Sequence, residues 1–368
     1  MTTYGKPILL TIALVVVSPA TAAEFCVSTN ATLQQALMMA GSNGEADTIQ
    51  IEAGTYTGTS AVAFAYSTSQ NSSLSVSGGW YSNPPDQLCV RQVSNPSATT
   101  LSGSDARQVL KLTGASGTSG VLSISNLTIS NGFTAQQGAG LFIGGGAGFL
   151  GNIVVTRVIM ERNTSTTFGG GMSLYTEGIA NVRNNMFLLN RCSMANCAFS
   201  FTANATDTAN TRIFIGSNTV VGNACTSGAS CTNGGGRFGG SARALFYNNV
   251  FAANVASDIS LVDGGGGIDL YYNNYVTLSG SAPSQLVGNI AYANPGFVDL
   301  LNDDLRPTLD SPLRNAGTED FVLSTLDLAG EARINEGRVD IGAYENIDRI
   351  FANDFDLQEC RSSCRWRK

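Results

Sequence analysis

Histidine is absent from this chain, and its absence removes more chemistry than any other feature of the composition. Ser-His-Asp and Cys-His nucleophilic mechanisms need an imidazole, and so do His-ligated metal sites. Beyond the apolar leader the lysines are Lys111 and Lys368. Lys111 lies in "VLKLTG" between Leu110 and Leu112, so strand alternation turns it outward as an ordinary exposed charge. It is also the one lysine placed to act as a general base. An arginine base with a calcium ion is the other route to polysaccharide elimination, and it needs several carboxylates on one outer face. Asp258, Asp263 and Asp269 are the acidic candidates, with Arg237 and Arg243 one repeat earlier. Aligning the repeats sets Phe238 and Ser173 over Asp269, so no acidic ladder is expected. Asp303 and Asp304 are placed to bind calcium or to cap a turn. A glycosidase needs two acids ~5 to 9.5 Å apart, yet residues 121 to 257 hold only Glu161, Glu177 and Asp207. No residue is put forward as catalytic or cofactor-binding, and calcium is the one cofactor left open.

Eight cysteines follow the leader: Cys26, Cys89, Cys192, Cys197, Cys225, Cys231, Cys360 and Cys364. An even number in an exported chain reads as disulfides. Cys192/Cys197, Cys225/Cys231 and Cys360/Cys364 are close enough to staple single loops, which leaves Cys26 for Cys89. Eight cysteines allow about 105 pairings, so this set is one among many. A zinc site would want C-x-x-C pairs, and none occurs.

The elements that position these residues come from a repeat. Five times an asparagine is followed five places on by another, with an apolar stretch between: Asn126/Asn131, Asn185/Asn190, Asn218/Asn223, Asn249/Asn254 and Asn289/Asn294. A degenerate copy, "VIMERN", ends at Asn163. A period near thirty marks a stacked array. Glycine clusters recur in step: "GAGLFI", "GGGMSL", "GGGRF" and "GGGGIDL", with Leu141, Met172, Phe238 and Ile268 as equivalents and "AFSFTA" (198 to 203) filling the gap. Each repeat thus supplies two strands. Strands with one apolar face cannot bury it alone, but stacked in parallel ~4.8 Å apart they share an interior. The asparagines are expected at corners, where they tolerate left-handed backbone and their amides bond from one coil to the next. The pattern predicts an all-β fold, a single-stranded right-handed parallel β-helix.

The ends differ from the middle. Residues 1–23 read as a signal peptide: Lys6, the apolar run 8 to 17, then "SPATAA" with small-residue cleavage points. A run of ten residues is too short to span a bilayer, so no integral membrane segment is expected in the mature chain. Residues 24–120 are expected to form the N-terminal cap and first coils. A capping box at Thr32 to Gln35 would open a short helix with Leu33, Ala36, Leu37 and Ala40 on one face. The β-helix coils take 121–293. From 294 the charge rises and Pro295, Pro307 and Pro312 break the rhythm, so 294–345 reads as a C-terminal cap and 346–368 as a tail.

Apolar residues make up 43% of the chain, enough for a large core, while charged residues are 13%, about half the usual share. The net charge of −7 argues against a nucleic-acid partner.

The glycine clusters and the "FLLN" and "FAAN" steps resemble the repeats of polymorphic outer-membrane and autotransporter passenger proteins of Gram-negative bacteria. "SPLRNAG…DLAGEARINEGRVDIGAYE" resembles the terminal module of surface β-helix proteins with a choice of C-terminal anchors. "RIFANDFD" (349 to 356) is similar to a short tail motif found after such modules, with Asn353-Asp354 in place of its usual acidic-glycine pair. The resemblance implies a secreted or cell-surface protein that acts as a non-enzymatic scaffold for adhesion or surface interaction. Its partner would be a polysaccharide or a host or neighbouring cell surface, met through the loops 191 to 212 and 224 to 233. Because the same fold carries polysaccharide lyases and hydrolases, an enzyme acting on a uronate polysaccharide is the alternative.

Overall fold

The computed structural model describes residues 22–83, 87–205, 209–226, 231–335 and 337–346. The protein is all-β and β-helix-like, built mostly of parallel strands. One pass of the chain shows the plan. Ala180–Arg183 and Met186–Leu188 lie in a long sheet, Arg191–Cys192 in a four-stranded corner sheet, and Phe199–Ala203 in an eight-stranded sheet. The next pass repeats this with Thr211–Gly216, Thr219–Val221, Ala224–Cys225 and Gly236–Gly240, each parallel to its counterpart. No helix among the described residues is long and apolar enough to cross a membrane.

Alternation sets what faces inward. Ile153, Val155, Ala180, Val182, Ile213, Ile215, Ala244 and Phe246 from the long sheet meet Leu141, Met172, Phe199 and Ile259 from the eight-stranded sheet in one apolar interior. Phe199 and Phe201 stack with centroids 4.3 Å apart. Gly236 is the inward residue opposite Phe199, and a Cβ there would sit 2.0 Å from that ring. The glycine cluster "GGGRF" therefore makes room for a neighbouring aromatic as well as turning the chain. Phe199 fills the gap expected at "AFSFTA". Two alignments need correction. Phe238 is in register with Phe201, two residues beyond the Leu141 column, and Ile268 belongs to the long sheet opposite Ala244. The cluster "GGGG" before Ile268 turns a different corner from the other glycine clusters.

The asparagines form two continuous ladders. In the first, Val158 N–H donates to Asn185 Oδ1 at 2.9 Å, and the series runs Asn185, Asn218, Asn249, Asn273, Asn289. Each backbone N–H and each Nδ2 donates to the Oδ1 of the next asparagine, and Nδ2 also donates to a carbonyl one pass back. Both donors and both acceptor sites of the buried amide are thereby used. The second ladder starts at Gly132 N–H and runs Asn163, Asn190, Asn223, Asn254. Asn254 Nδ2 ends it on the carboxylate of Asp258, 3.1 Å away.

Asn126 and Asn131 are not rungs of either ladder, contrary to the sequence expectation. Their registers place them one residue earlier, with Arg157 and Arg162. This is the left-handed column. Asn126 has φ 55°, Asn131 φ 52°, Asn184 φ 53° and Asn248 φ 52°, as do residues less suited to it such as Leu189 and Ala253. Bend and ladder are thus neighbouring positions, and asparagine suits both. Asn273 joins the first ladder without an Asn five places on, and Asn294 stays outside, accepting only from Gly296 N–H.

At the N-terminal end helix α1 (Asn30–Ala40) buries Leu33, Ala36, Leu37 and Ala40. Its cap is Thr29, three residues before the expected Thr32. Thr29 accepts from Thr32 N–H, and the Thr32 hydroxyl accepts from Thr29 N–H. Gln34 closes the edge of the strand Val62–Thr68 by bonding both Ala65 N–H and Ala65 C=O. An open strand edge is so protected. The first strand is Glu24–Val27, ahead of the expected start at Thr48, and a disulfide from Cys26 to Cys89 ties it down.

Residues 294–345 were expected to cap the far end. They lie along the flank. Asn248 exchanges two hydrogen bonds with Thr318, Asn184 Nδ2 donates to Leu326 C=O, and Ala343 N–H donates to the Thr219 hydroxyl. Leu305, Leu313, Leu328, Ile341 and Ala343 pack on Met186, Leu188, Val221, Val250 and Ala252. The strands "MFL", "TVV" and "VFA" are buried at every position and apolar except at Thr219, because one face meets the interior and the other this module. The last strands, Leu278–Gly280 and Gln285–Val287, remain largely exposed.

The flank module is centred on Arg333, which is fully buried. It lies 3.0 Å from Glu345 and donates to Asp340 C=O. Asp340 accepts from Asn315 N–H, and Asp327 accepts from Glu331 and Glu345 N–H. Burial raises the pKa of Asp327 and Asp340. It pushes Glu345 up to about 9, against the pull of Arg333.

Two outcomes follow from this architecture. Asn249→Ala should cost about 3 kcal/mol in a urea titration, because it orphans groups on two passes, whereas Asn131→Gly, which keeps the bend, should cost under about 1 kcal/mol. The folded cluster holds protons that the unfolded chain has released, so its contribution is full below the ordinary Glu value of 4.5 and is lost as pH rises through about 9. Thermal unfolding at pH 5, 7 and 9 should show a falling midpoint, and Glu345→Gln should flatten it.

Candidate functional site

The eight-stranded sheet turns one face outward, and its columns can be read from the register. Ala65, Lys111, Phe142, Ser173, Ser200, Arg237, Ser260 and Ser279 form one outward column. Thr113, Gly144, Tyr175, Thr202, Gly239 and Val262 form the next. Lys111 points outward, as alternation predicts, with Leu110 and Leu112 buried on either side.

Lys111 does not stand free in solvent. It lies at a cavity of about 380 Å³ lined also by Gln108, Gln136, Gln137, Phe142, Thr167 and Phe168. Its ammonium sits 5.6 Å from the centroid of the Phe142 ring, a cation–π distance. The far wall is made of two stacked loops. Gln108 Nε2 holds the first through the carbonyls of Gln137 and Gly138, at 3.1 and 2.7 Å. The Ser165 hydroxyl donates to Gln136 C=O and accepts from Thr167 N–H, joining the second loop to the first. Phe168 bridges to Ala195, inside the loop closed by the disulfide Cys192–Cys197. On the next pass Cys225–Cys231 closes the equivalent loop, and Cys192 faces Cys225 in the corner sheet. These disulfides brace the wall. Cys360 and Cys364 lie outside the described residues.

Four passes along the same column lies Arg237. It is half-buried, makes no ion pair among the described residues, and burial lowers its pKa. Its guanidinium folds over Gly239, where a Cβ would meet Nη2 at 2.5 Å. Between the two cations, Ser173 and Ser200 are buried, and the Ser173 hydroxyl has no partner. Tyr175 is half-buried in the adjacent column, with its hydroxyl 3.3 Å from Asn204 Nδ2 and 3.5 Å from Glu177.

The other sequence candidates are not brought together. Asp258 accepts from Val276 and Thr277 N–H and ends the second ladder. Asp263 caps the turn at Gly265 and Gly267. Asp269 pairs with Arg243 at 2.7 Å, and its neighbours in register are Leu245 and Gln285, not Phe238. The three acidic candidates to share a calcium ion are each engaged separately. Asp303 pairs with Arg162 and Asp304 with Arg306. No acid lines the Lys111 cavity.

Sequence reading did not find Phe142, Gln108 or the cavity. One signal was present. "LFI" is apolar at three successive positions of an alternating strand, so its middle residue had to face outward. Chemically the site offers an aromatic plate, an ammonium group and amides. It offers no carboxylate pair for proton transfer.

No family model matches the chain, and no curated protein matches it. A solved structure that resembles it is that of a PL6 family alginate lyase, AlyGC, with 14% sequence identity and a TM-score of 0.41 over 77% of this chain. The match spans 39% of that enzyme, so the chain covers well under half of its length.

Proposed function

We propose that this protein is an exported, non-enzymatic scaffold, wound as one right-handed solenoid, that binds polysaccharide on the outer face of its eight-stranded sheet and serves surface interaction or adhesion. The observation that carries this reading is the Lys111 cavity. An aromatic ring, an ammonium group and amide side chains line one rigid concavity, a combination suited to a sugar's apolar face and its polar rim. The leader at residues 1–23, the three disulfides and the repeat resemblance support export to an oxidising, cell-surface setting.

A polysaccharide lyase is the second reading, favoured by the placement of Lys111, the lysine available as a base, in a cavity on the outer face of a parallel sheet. Incubation with a panel of uronate polysaccharides plus calcium separates the two. Retention on an immobilised glycan without ultraviolet-absorbing unsaturated ends is expected. Product formation abolished by Lys111→Gln would establish the lyase.

A further inference from the structure

Resting on the polysaccharide reading, we infer that this face takes an anionic polysaccharide, running across the strands and held at two points by Lys111 and Arg237. The two cations share one column and are separated by four strand spacings, about 19 Å at ~4.8 Å each. A short ligand reaches one of them, and only an extended chain reaches both.

Three observations point to an anion. First, neither cation has a carboxylate partner or a side-chain hydrogen bond among the described residues. Several other arginines also lack a carboxylate, but Arg157, Arg183 and Arg338 are held by Asn126, Ser324 and Gly317 C=O instead. Second, Arg237 is half-buried with no side-chain partner among the described residues, so part of its hydration is lost and nothing in the protein replaces it. Gly239 provides the space in which its guanidinium lies flat on the sheet. Third, no acid lines the Lys111 cavity, so nothing there repels a carboxylate or sulfate. Between the two points the column itself is buried at Ser173 and Ser200, and the half-buried side chains of Phe142, Tyr175 and Thr202 give an aromatic and hydroxyl surface suited to sugar rings.

Calorimetric titration of the whole protein with a long oligouronate, a sulfated glycan and a neutral glucan of matched length tests this. Both anionic chains should bind, the glucan far more weakly, and added salt should weaken the anionic complexes. Lys111→Gln and Arg237→Gln should each lower affinity for the long oligouronate by about fivefold. Arg237→Lys should restore most of it. A short uronate should lose affinity only with Lys111→Gln, since it fits the cavity alone. Unchanged thermal midpoints would show that the variants are folded. Equal binding of the glucan overturns the anionic inference and leaves the polysaccharide reading standing. Unaltered oligouronate binding by the double variant removes the ligand from this face, and binding of no glycan overturns both readings.

Discussion

A buried amide with every donor and acceptor engaged is the constraint on which this molecule depends. Each ladder asparagine reaches one pass forward and one pass back. A one-residue slip between passes would strand a primary amide and a backbone N–H in an apolar interior, where unpaired polar groups cost on the order of 1–3 kcal/mol each. The ladders therefore lock register from Gly132 to Asn289. Register on the long sheet fixes the phase of each following loop, and so which residue of the eight-stranded sheet faces out. Phe142 and Arg237 share a column because the asparagines hold the passes in step, and Lys111, ahead of the ladders, joins it through strand pairing with Phe142.

The repeat was legible because a ladder demands one residue type at one position on each pass. Its exact phase was not. The left-handed bend and the ladder rung are adjacent, and asparagine satisfies both, so Asn126 and Asn131 look like rungs in the sequence while acting as bends. The bend column tolerates Leu189, Ala253 and Tyr272, so the neighbouring rungs hold the backbone there, and local preference does not. Helix α1 was legible by its buried face, and its cap was misplaced by three residues because Thr29 and Thr32 form a reciprocal pair in which either could lead. Residues 294–345 were misplaced in space for a different reason. Apolar runs such as "MFLL" indicate burial on both faces, but a sequence does not say which distant segment provides the second cover.

The candidate site was only half legible. Alternation turns Lys111 outward, yet its cavity exists only once loops from successive passes stack and two small disulfide loops stiffen them. The acids followed the opposite course. They looked like candidates to share a metal ion and proved to be fastenings: Asp258 ends a ladder, Asp263 holds a turn, and Asp269 pairs with Arg243. With so few charges in the chain, most described acids have a structural occupation, while Lys111 and Arg237 share one outward column with no carboxylate partner.

The flank module grips the array through amides two passes apart, Asn184 and Asn248. That grip sets a fixed ruler against the stack. Duplicating or deleting a unit between those residues would move the two attachment points out of reach of Leu326 and Thr318, so evolution by repeat gain or loss is blocked there. The module also touches the array at Arg162, through Asp303, and at Ser94, against which Gly330 packs, so the same constraint reaches toward the N-terminal passes.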